Sequence, residues 1–193
     1  MLKIDKENIW VMWPDFLADN FIDYPSNKIF DYKGNFNFLI EFQLSDVVTN
    51  KMTLFAKLPT YFGINIETNG LLIIFNEEGD ETKYLTKDYG WEPNKKYRLE
   101  ITKDGNCIKV TINNELIFDI TLKTNLIEDN KPHIIFGSGN FPKNNYNLNY
   151  FDGTISYLSI KKDGTLISEH TFEKFIHNKS YDLTNNCNFI HKI

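Results

Sequence analysis

Cysteine and arginine are both scarce in this chain of 193 residues. Cys107 lies inside an alternating apolar and polar pattern and Cys187 lies near the carboxyl end, so the two do not form a disulfide framework and we expect free thiols. Arg98 is the single arginine, the lysines are scattered, and the net charge is -5 at pH 7. Because phosphate binding needs lysine and arginine clustered on one face, this composition argues against a nucleic-acid partner.

Long apolar runs are missing as well. The first residues of the chain include Asp5, Lys6, Glu7 and Pro14, which leave no stretch apolar enough for a signal peptide or a membrane span. Secretion by the ordinary signal route is therefore disfavoured. The compartment stays open, with a cytoplasmic protein, a virion-associated protein and a domain of a longer chain as the alternatives.

Helical periodicity is also missing, and the dominant pattern has a period of two, which is typical of half-buried β-strands. In residues 36–44 the even positions are apolar, whereas Asn37 and Gln43 are polar. Residues 97–102 and 108–112 alternate in the same way. So do residues 116–122, where the side chains predicted to face the core are Leu116, Phe118, Ile120 and Leu122.

Short turn sequences containing glycine, aspartate or asparagine separate these runs and predict β-hairpins. Within residues 154–160 the apolar positions shift by one residue, which indicates a β-bulge or burial on both faces. The remaining predicted strands are residues 9–13, 52–57, 63–67, 71–75, 82–85, 133–136, 154–160 and 165–172. About a dozen strands joined by hairpins pack as two sheets or close on themselves, because one open sheet would leave an apolar face in water.

The order of several motifs resembles the laminin G-like branch of the concanavalin A-like lectin and glucanase superfamily. Trp91 followed by residues 97–101 is similar to the family's tryptophan-led central strand, and Asn113-Asn114 stands where the family usually has Asn-Gly. The other segments that resemble the family are residues 29–38 at its opening strand, 108–116 at its strand-turn-strand unit, 136–137 at a glycine-ended strand, 151–160 at the penultimate strand and 169–172 at the last.

This resemblance implies an all-β fold, a two-sheet antiparallel jelly-roll sandwich of the concanavalin A-like type. It implies one lectin-like domain over residues 1–193, with a core at about residues 27–172 and with both terminal segments packing on it. Proteins of this family mostly bind glycans, some bind proteins, some hold calcium at the rim, and a minority are glycoside hydrolases.

Catalytic motifs are not recognisable. Retaining glucanases of the superfamily carry a Glu-x-Asp-x-Glu pattern, because two carboxylates must flank one glycosidic bond about 5 Å apart. The nearest sequence is residues 77–81, whose glycine predicts a hairpin and a solvated acidic turn. Four scattered histidines, His133, His170, His177 and His191, lack the spacing of a metal site, and His170 is expected to be structural. We therefore predict a protein that is not an enzyme and needs no cofactor, with calcium left open at Asp88 and Asp152.

Loop parity predicts a binding surface. If every connection reverses the chain, the loops at residues 45–50, 68–70, 87–96, 113–114 and 138–150 gather at one end of the sandwich. Sugar rings offer an apolar face and a hydroxyl edge, so a site needs aromatic side chains beside short polar ones. The predicted carbohydrate-binding residues are Asp88, Tyr89, Trp91, Asn113, Asn114, Asn140, Tyr146, Asn149 and Tyr150. For Trp91 the family pattern also offers the alternative of packing against the sheet edge.

Three functions follow as hypotheses. The leading one is a glycan-binding module that is not an enzyme, free-standing or part of a larger glycan-handling or phage or virion attachment protein. The second is a structural or protein-interaction module. The third is a glycoside hydrolase with carboxylates that the sequence does not reveal.

Overall fold

The computed structural model describes residues 1–4, 9–14, 34–57, 62–126, 134–136, 151–172, 175–176, 179–180 and 187–192. These residues form strands and turns and no helix, so the all-β prediction is confirmed. The strands are β1 Leu2–Ile4, β2 Ile9–Pro14, β3 Phe36–Leu44, β4 Met52–Lys57, β5 Phe62–Glu67, β6 Gly70–Phe75, β7 Lys83–Asp88, β8 Lys96–Asp104, β9 Cys107–Ile112, β10 Glu115–Thr121, β11 Ile134–Phe136, β12 Gly153–Lys162, β13 Thr165–His170, β14 Phe175–Ile176, β15 Lys179–Ser180 and β16 Cys187–Lys192.

The strands assemble into two antiparallel sheets. Sheet I has the order β1-β12-β3-β8-β9-β10, and β13 also pairs with β12 beyond the end of β1. Sheet II has the order β14-β15-β16-β2-β11-β4-β5-β6-β7. Strands β10 and β7 therefore lie at sheet edges among the described residues. In chain order, consecutive strands lie in different sheets after β1, β2, β3, β7, β10, β11 and β13.

The two sheets pack face to face over one hydrophobic core. On β3 the even positions are buried, as the alternation predicts, and the same holds for Tyr97, Leu99 and Ile101 on β8. Phe36 of sheet I meets Phe62 of sheet II edge to face, with ring centroids 6.0 Å apart. Burial of apolar side chains from both sheets in one cluster stabilises a sandwich, and the predicted two-sheet architecture is confirmed.

The register of two strand pairs is irregular, and such irregularities change the sheet face to which side chains point. The register between β12 and β3 shifts between Ile155 and Tyr157, which confirms the bulge alternative for this phase slip. The register between β10 and β9 shifts between Leu116 and Phe118. The prediction that Leu116 faces the core is therefore wrong: its side chain is 52% exposed, and Ile117 is buried instead. A bulge of this kind on an edge strand also hinders pairing with a foreign strand.

Several predicted boundaries needed correction. The strand expected at residues 82–85 runs from Lys83 to Asp88, and the one expected at residues 165–172 ends at His170. The carboxyl-terminal segment contributes β14, β15 and β16, which the sequence analysis did not predict, and β16 pairs with β2 along its whole length. Cys107 is free and exposed, as expected. No helix among the described residues is long and apolar enough to cross a membrane.

The β9–β10 hairpin offers a test of turn chemistry. Asn113 and Asn114 both have positive φ, 51° and 68°, and the Asn113 side chain accepts a hydrogen bond from the Arg98 backbone N–H at 2.9 Å. Glycine adopts positive φ without the steric penalty of a side chain, and Asn-Gly is the favoured pair in such turns.

We expect Asn114→Gly to stabilise the fold by up to about 1 kcal/mol, which raises the melting temperature by roughly 2–4 °C. Asn113→Gly is the matched control, because it removes the hydrogen bond to Arg98 and should lower the melting temperature. Thermal denaturation followed by circular dichroism measures both, and a lower melting temperature for Asn114→Gly would contradict the argument.

Candidate functional site

Loops from both sheets meet at one end of the sandwich. The Ser45 N–H donates to the Asp152 carbonyl at 3.2 Å, the Tyr89 N–H donates to the Asn69 carbonyl at 3.0 Å, and the Asn94 N–H donates to the Leu44 carbonyl at 2.9 Å. We call this end the rim, comprising residues 44–50, 68–70, 88–96 and 151–152. Of the loops that parity assigns to this end, those at residues 45–50, 68–70 and 87–96 come together as predicted, and the loop at residues 138–150 lies outside the described residues.

An aromatic cluster anchors the crossover from β7 to β8 at the rim. The Trp91 ring lies 4.6 Å from the Tyr89 ring and 5.0 Å from the Tyr97 ring, measured between centroids. Its Nε1 donates a hydrogen bond of 2.8 Å to the Gly70 carbonyl in sheet II. Phe42 of sheet I packs on the other side at 6.1 Å. Trp91 is thus partly buried and ties the two sheets together, which matches the packing alternative.

Tyr89 and Tyr97 also face inward. Tyr97 is 1% exposed, and its hydroxyl accepts from the Glu92 N–H at 2.6 Å and donates to the Glu92 carbonyl at 3.3 Å. Burial, together with the neighbouring Tyr97 and Glu115, raises the pKa of the Tyr89 hydroxyl above its ordinary value of 10.0. These contacts assign the two tyrosines to the support of the rim.

The other predicted site residues have different surroundings. The Asn113 side chain is engaged with the Arg98 backbone, and Asn114 is exposed at the tip of its turn. Asp88 is exposed on the edge strand β7. The remaining four predicted residues, Asn140, Tyr146, Asn149 and Tyr150, lie outside the described residues. The prediction that the set binds sugar stays a prediction.

A polar groove of about 440 Å³ opens at the rim beside Asp88. Its charged residues are Lys51, Glu67, Lys87 and Asp88, of which Lys87 alternates with Thr86 and Asp88 and so lies on the opposite face of β7. Its neutral lining is supplied by Thr68, Asn69, Gly70 and Thr86. The groove therefore presents carboxylate, ammonium, hydroxyl and amide groups together, which is the mixture of donors and acceptors that hydroxyl-rich ligands require.

Gly70 shapes the floor of this groove. A Cβ added at Gly70 would come within 2.5 Å of the Lys87 carbonyl oxygen, so this close approach of β6 to β7 requires glycine. In the register of sheet II, Asp88 and Glu67 pair with Gly70 from opposite sides. Their Cα atoms are thus two strand spacings apart, about 10 Å, across a position without a side chain.

The outward face of β7 holds an aromatic side chain that the sequence analysis missed. Leu85 packs against the core, so the alternate residues Tyr84, Thr86 and Asp88 share the outward face. Tyr84 is 63% exposed. The signal in the sequence was the period-two pattern of residues 84–88, which was lost because the predicted strand ended at Leu85 and its last residues were assigned to the following loop.

The acidic turn at residues 77–81 lies at the opposite end, and one of its side chains is not solvated as predicted. Glu77 is 1% exposed. Its carboxylate accepts hydrogen bonds from the Lys83 ammonium, from the Lys123 N–H at 2.5 Å and from the Thr124 N–H at 3.0 Å. The expectation of a solvated acidic turn is therefore wrong for Glu77, because this carboxylate clamps the connection that follows β10.

The protonation of Glu77 follows from these contacts. Burial by itself raises the pKa of the Glu77 carboxyl, but the hydrogen bond from Lys83, the two backbone amides and the charge of Lys83 outweigh it, so the pKa lies below its ordinary value of 4.5. Asp80 adds a second contact to Lys83 at 3.0 Å. The turn therefore has a structural role at neutral pH.

The sequence analysis expected a structural role for His170 and no metal site among the histidines. His170 is fully buried and stacks on Phe172 with ring centroids 5.5 Å apart, which fits the structural role expected for it. Within the part of the chain that the structure describes, no three histidine, cysteine, aspartate or glutamate side chains come together as ligands for an ion.

The scan against known protein families finds no match. No curated protein matches the sequence either. Solved structures are similar in fold. A protein from Bacteroides ovatus, provisionally described as carbohydrate binding, matches with a TM-score of 0.67 and 11% identity over 100% of this chain and 59% of that one. The chain thus spans little more than half of that protein's length.

Two further structures match over smaller parts. The CBM40 domain of the Ruminococcus gnavus IT-sialidase, solved with α2,3-sialyllactose, has a TM-score of 0.53 and 13% identity over 67% of this chain and 76% of that one. The binding domain of botulinum neurotoxin serotype D has a TM-score of 0.52 and 18% identity over 79% and 38%. These likenesses support the β-sandwich fold.

Proposed function

We propose that this chain is a carbohydrate-binding module that is not an enzyme, and that the groove at the rim is its binding site. The single observation that carries the proposal is the polar groove of about 440 Å³, whose lining joins carboxylates, ammonium groups, hydroxyls and an amide. Pockets for small ligands are commonly about 300–1,000 Å³, so the volume suits a sugar.

The supporting architecture fits recognition by a rigid surface. The Trp91 hydrogen bond to Gly70 fixes the loop between β5 and β6, which carries Asn69 into the groove. Rigid positioning lowers the entropy that a site loses when a ligand binds. Fold neighbours described as carbohydrate binding, or solved with a glycan, support the same function.

We also propose a domain type, further binding residues and a larger protein context for this chain. We take residues 1–193 as one concanavalin A-like module of the laminin G type, since β1 joins sheet I while β2 and β16 join sheet II. Asn114, Asn140, Tyr146, Asn149 and Tyr150 remain proposed carbohydrate-binding residues. A place within a larger glycan-handling or attachment protein is also part of the proposal.

A glycan array, run once with calcium and once with a chelator, tests the function. We expect saturable binding, and we expect Asn69→Ala to weaken it several-fold, because the lost amide corresponds to about 1 kcal/mol of hydrogen bonding. Asn125→Ala is the matched control, since Asn125 is exposed at the opposite end of the sandwich. A flat array in both buffers would contradict the function, and equal loss in both variants would contradict the site.

A further inference from the structure

We propose that the ligand is a neutral oligosaccharide that runs from the groove along the outward face of β7 and stacks on Tyr84. This inference rests on the proposed function and adds to it the chemical class of the ligand and a binding residue outside the groove. It starts from the exposure of Tyr84, 63%, on a strand whose inward residue Leu85 packs on the core.

The proposed binding surface follows the outward side chains of β7 away from the groove. Thr86 and Asp88 line the groove, and Tyr84 shares their face of β7, two residues beyond Thr86. Tyr84 and Asp88 are four positions apart on β7, which corresponds to about 13 Å along the strand. A short oligosaccharide spans this distance and a monosaccharide does not. The edge position of β7 leaves this row of side chains open to a ligand from the side.

The two ends of this surface on β7 offer different chemical groups to a ligand. Tyr84 offers an aromatic face on which the C–H side of a sugar ring can stack, and its neighbour across the strand pair, Ile74, is partly buried and apolar. At the other end, Asp88 and Glu67 flank Gly70 on the outward face. Carboxylates accept hydrogen bonds and donate none, so this pair favours a ligand rich in hydroxyl donors.

The charge of the groove favours one class of sugar over another. Glu67 and Asp88 project from the same outward face as Tyr84, so a carboxylate or sulfate on the ligand would meet two negative groups directly. Of the two lysines at the groove, Lys87 lies on the Leu85 face of β7, and Lys51 gives the groove no positive excess over the two carboxylates. Like charges at close range disfavour binding, which selects neutral sugars over sialylated or sulfated ones.

The experiment uses neutral glycans paired on one array with the sialylated and sulfated forms of the same backbones, and then calorimetric titration of the best neutral ligand. We expect the neutral member of each pair to bind more tightly. Tyr84→Ala should weaken the oligosaccharide about tenfold while leaving a monosaccharide unchanged, and Asp88→Asn should weaken both about tenfold.

Matched controls lie on the other edge strand. Leu116→Ala and Asp119→Asn change an exposed apolar side chain and an exposed carboxylate on β10, and both should bind like the unchanged protein. Circular dichroism verifies that each variant is folded. Preference for the sialylated or sulfated forms overturns the ligand class, and full binding by Tyr84→Ala and Asp88→Asn overturns the location, whereas absence of any glycan binding overturns the proposed function itself.

Discussion

Replacing Trp91 with alanine should lower the free energy of unfolding by about 3 kcal/mol, near the lower end of the range for large aromatic side chains because Trp91 is only partly buried. The substitution removes the contacts with Tyr89 and Tyr97 and leaves the Gly70 carbonyl without its 2.8 Å hydrogen bond. For a chain of this size the melting temperature should fall by roughly 6–12 °C. Urea denaturation and thermal melting measure the two quantities.

A second variant separates packing from hydrogen bonding. Trp91→Phe keeps an aromatic ring against Tyr97 but has no N–H for Gly70, so its loss should be about 1–2 kcal/mol. If Trp91→Ala melts like the unchanged protein and loses only glycan binding, then Trp91 contacts the ligand and does not anchor the rim. The sequence analysis named Trp91 as a carbohydrate-binding residue, with packing as the alternative, and the contacts with Gly70 and Tyr97 predict loss of stability.

Replacing Glu77 with glutamine should destabilise the fold by about 2–3 kcal/mol at pH 7, because a buried carboxylate with three donors is lost and Lys83 loses one of its two carboxylate partners. Glutamine retains a single side-chain oxygen acceptor, so it does not satisfy the Lys83 ammonium and both backbone amides as the carboxylate does. Glu81→Gln, an exposed carboxylate in the same turn, is the matched control and should be neutral within about 0.5 kcal/mol.

Acid should remove the same stabilisation from the unchanged protein. The pKa of Glu77 is lower in the folded chain than its ordinary value of 4.5, so its contribution is fully present above pH 4.5 and is lost as the pH falls through the folded value. The difference in unfolding free energy between the unchanged protein and Glu77→Gln should therefore shrink as the pH is lowered from about 5 through the folded value. A difference that stays constant over this range would show that the charge of Glu77 contributes nothing.

The fold was predictable because its main determinant is local. Alternation along β3 and β8 assigns each side chain to a face without knowledge of the partner strand, since successive side chains of a strand point to opposite sides. Gathering of the loops at the rim also followed from the sequence, because hairpins and reversed crossovers fix which end each loop occupies. A β-bulge was predictable only where the alternation of apolar positions along a strand shifts by one residue, as between Ile155 and Tyr157.

The site was predictable only in part. Asp88 was placed correctly at the rim, whereas Thr86 and Lys51 were not named. The groove forms from the residue before β4, the turn between β5 and β6, and the end of β7, whose distance in space no local pattern encodes. Leu116 was assigned to the wrong face because the edge-strand bulge that exposes it leaves alternation in the sequence unbroken.

The sequence by itself determined that this protein is an all-β sandwich, because a period of two and the turn residues act within a few positions. Only the tertiary structure decided the exposure of individual aromatic and acidic groups. It packed Trp91, partly buried, against Tyr97 and Gly70, it buried Glu77 beneath the turn after β10, and it left Tyr84 exposed on an edge strand. The physical reason is that exposure depends on which distant segments pack over a residue, and that packing is set by the whole chain.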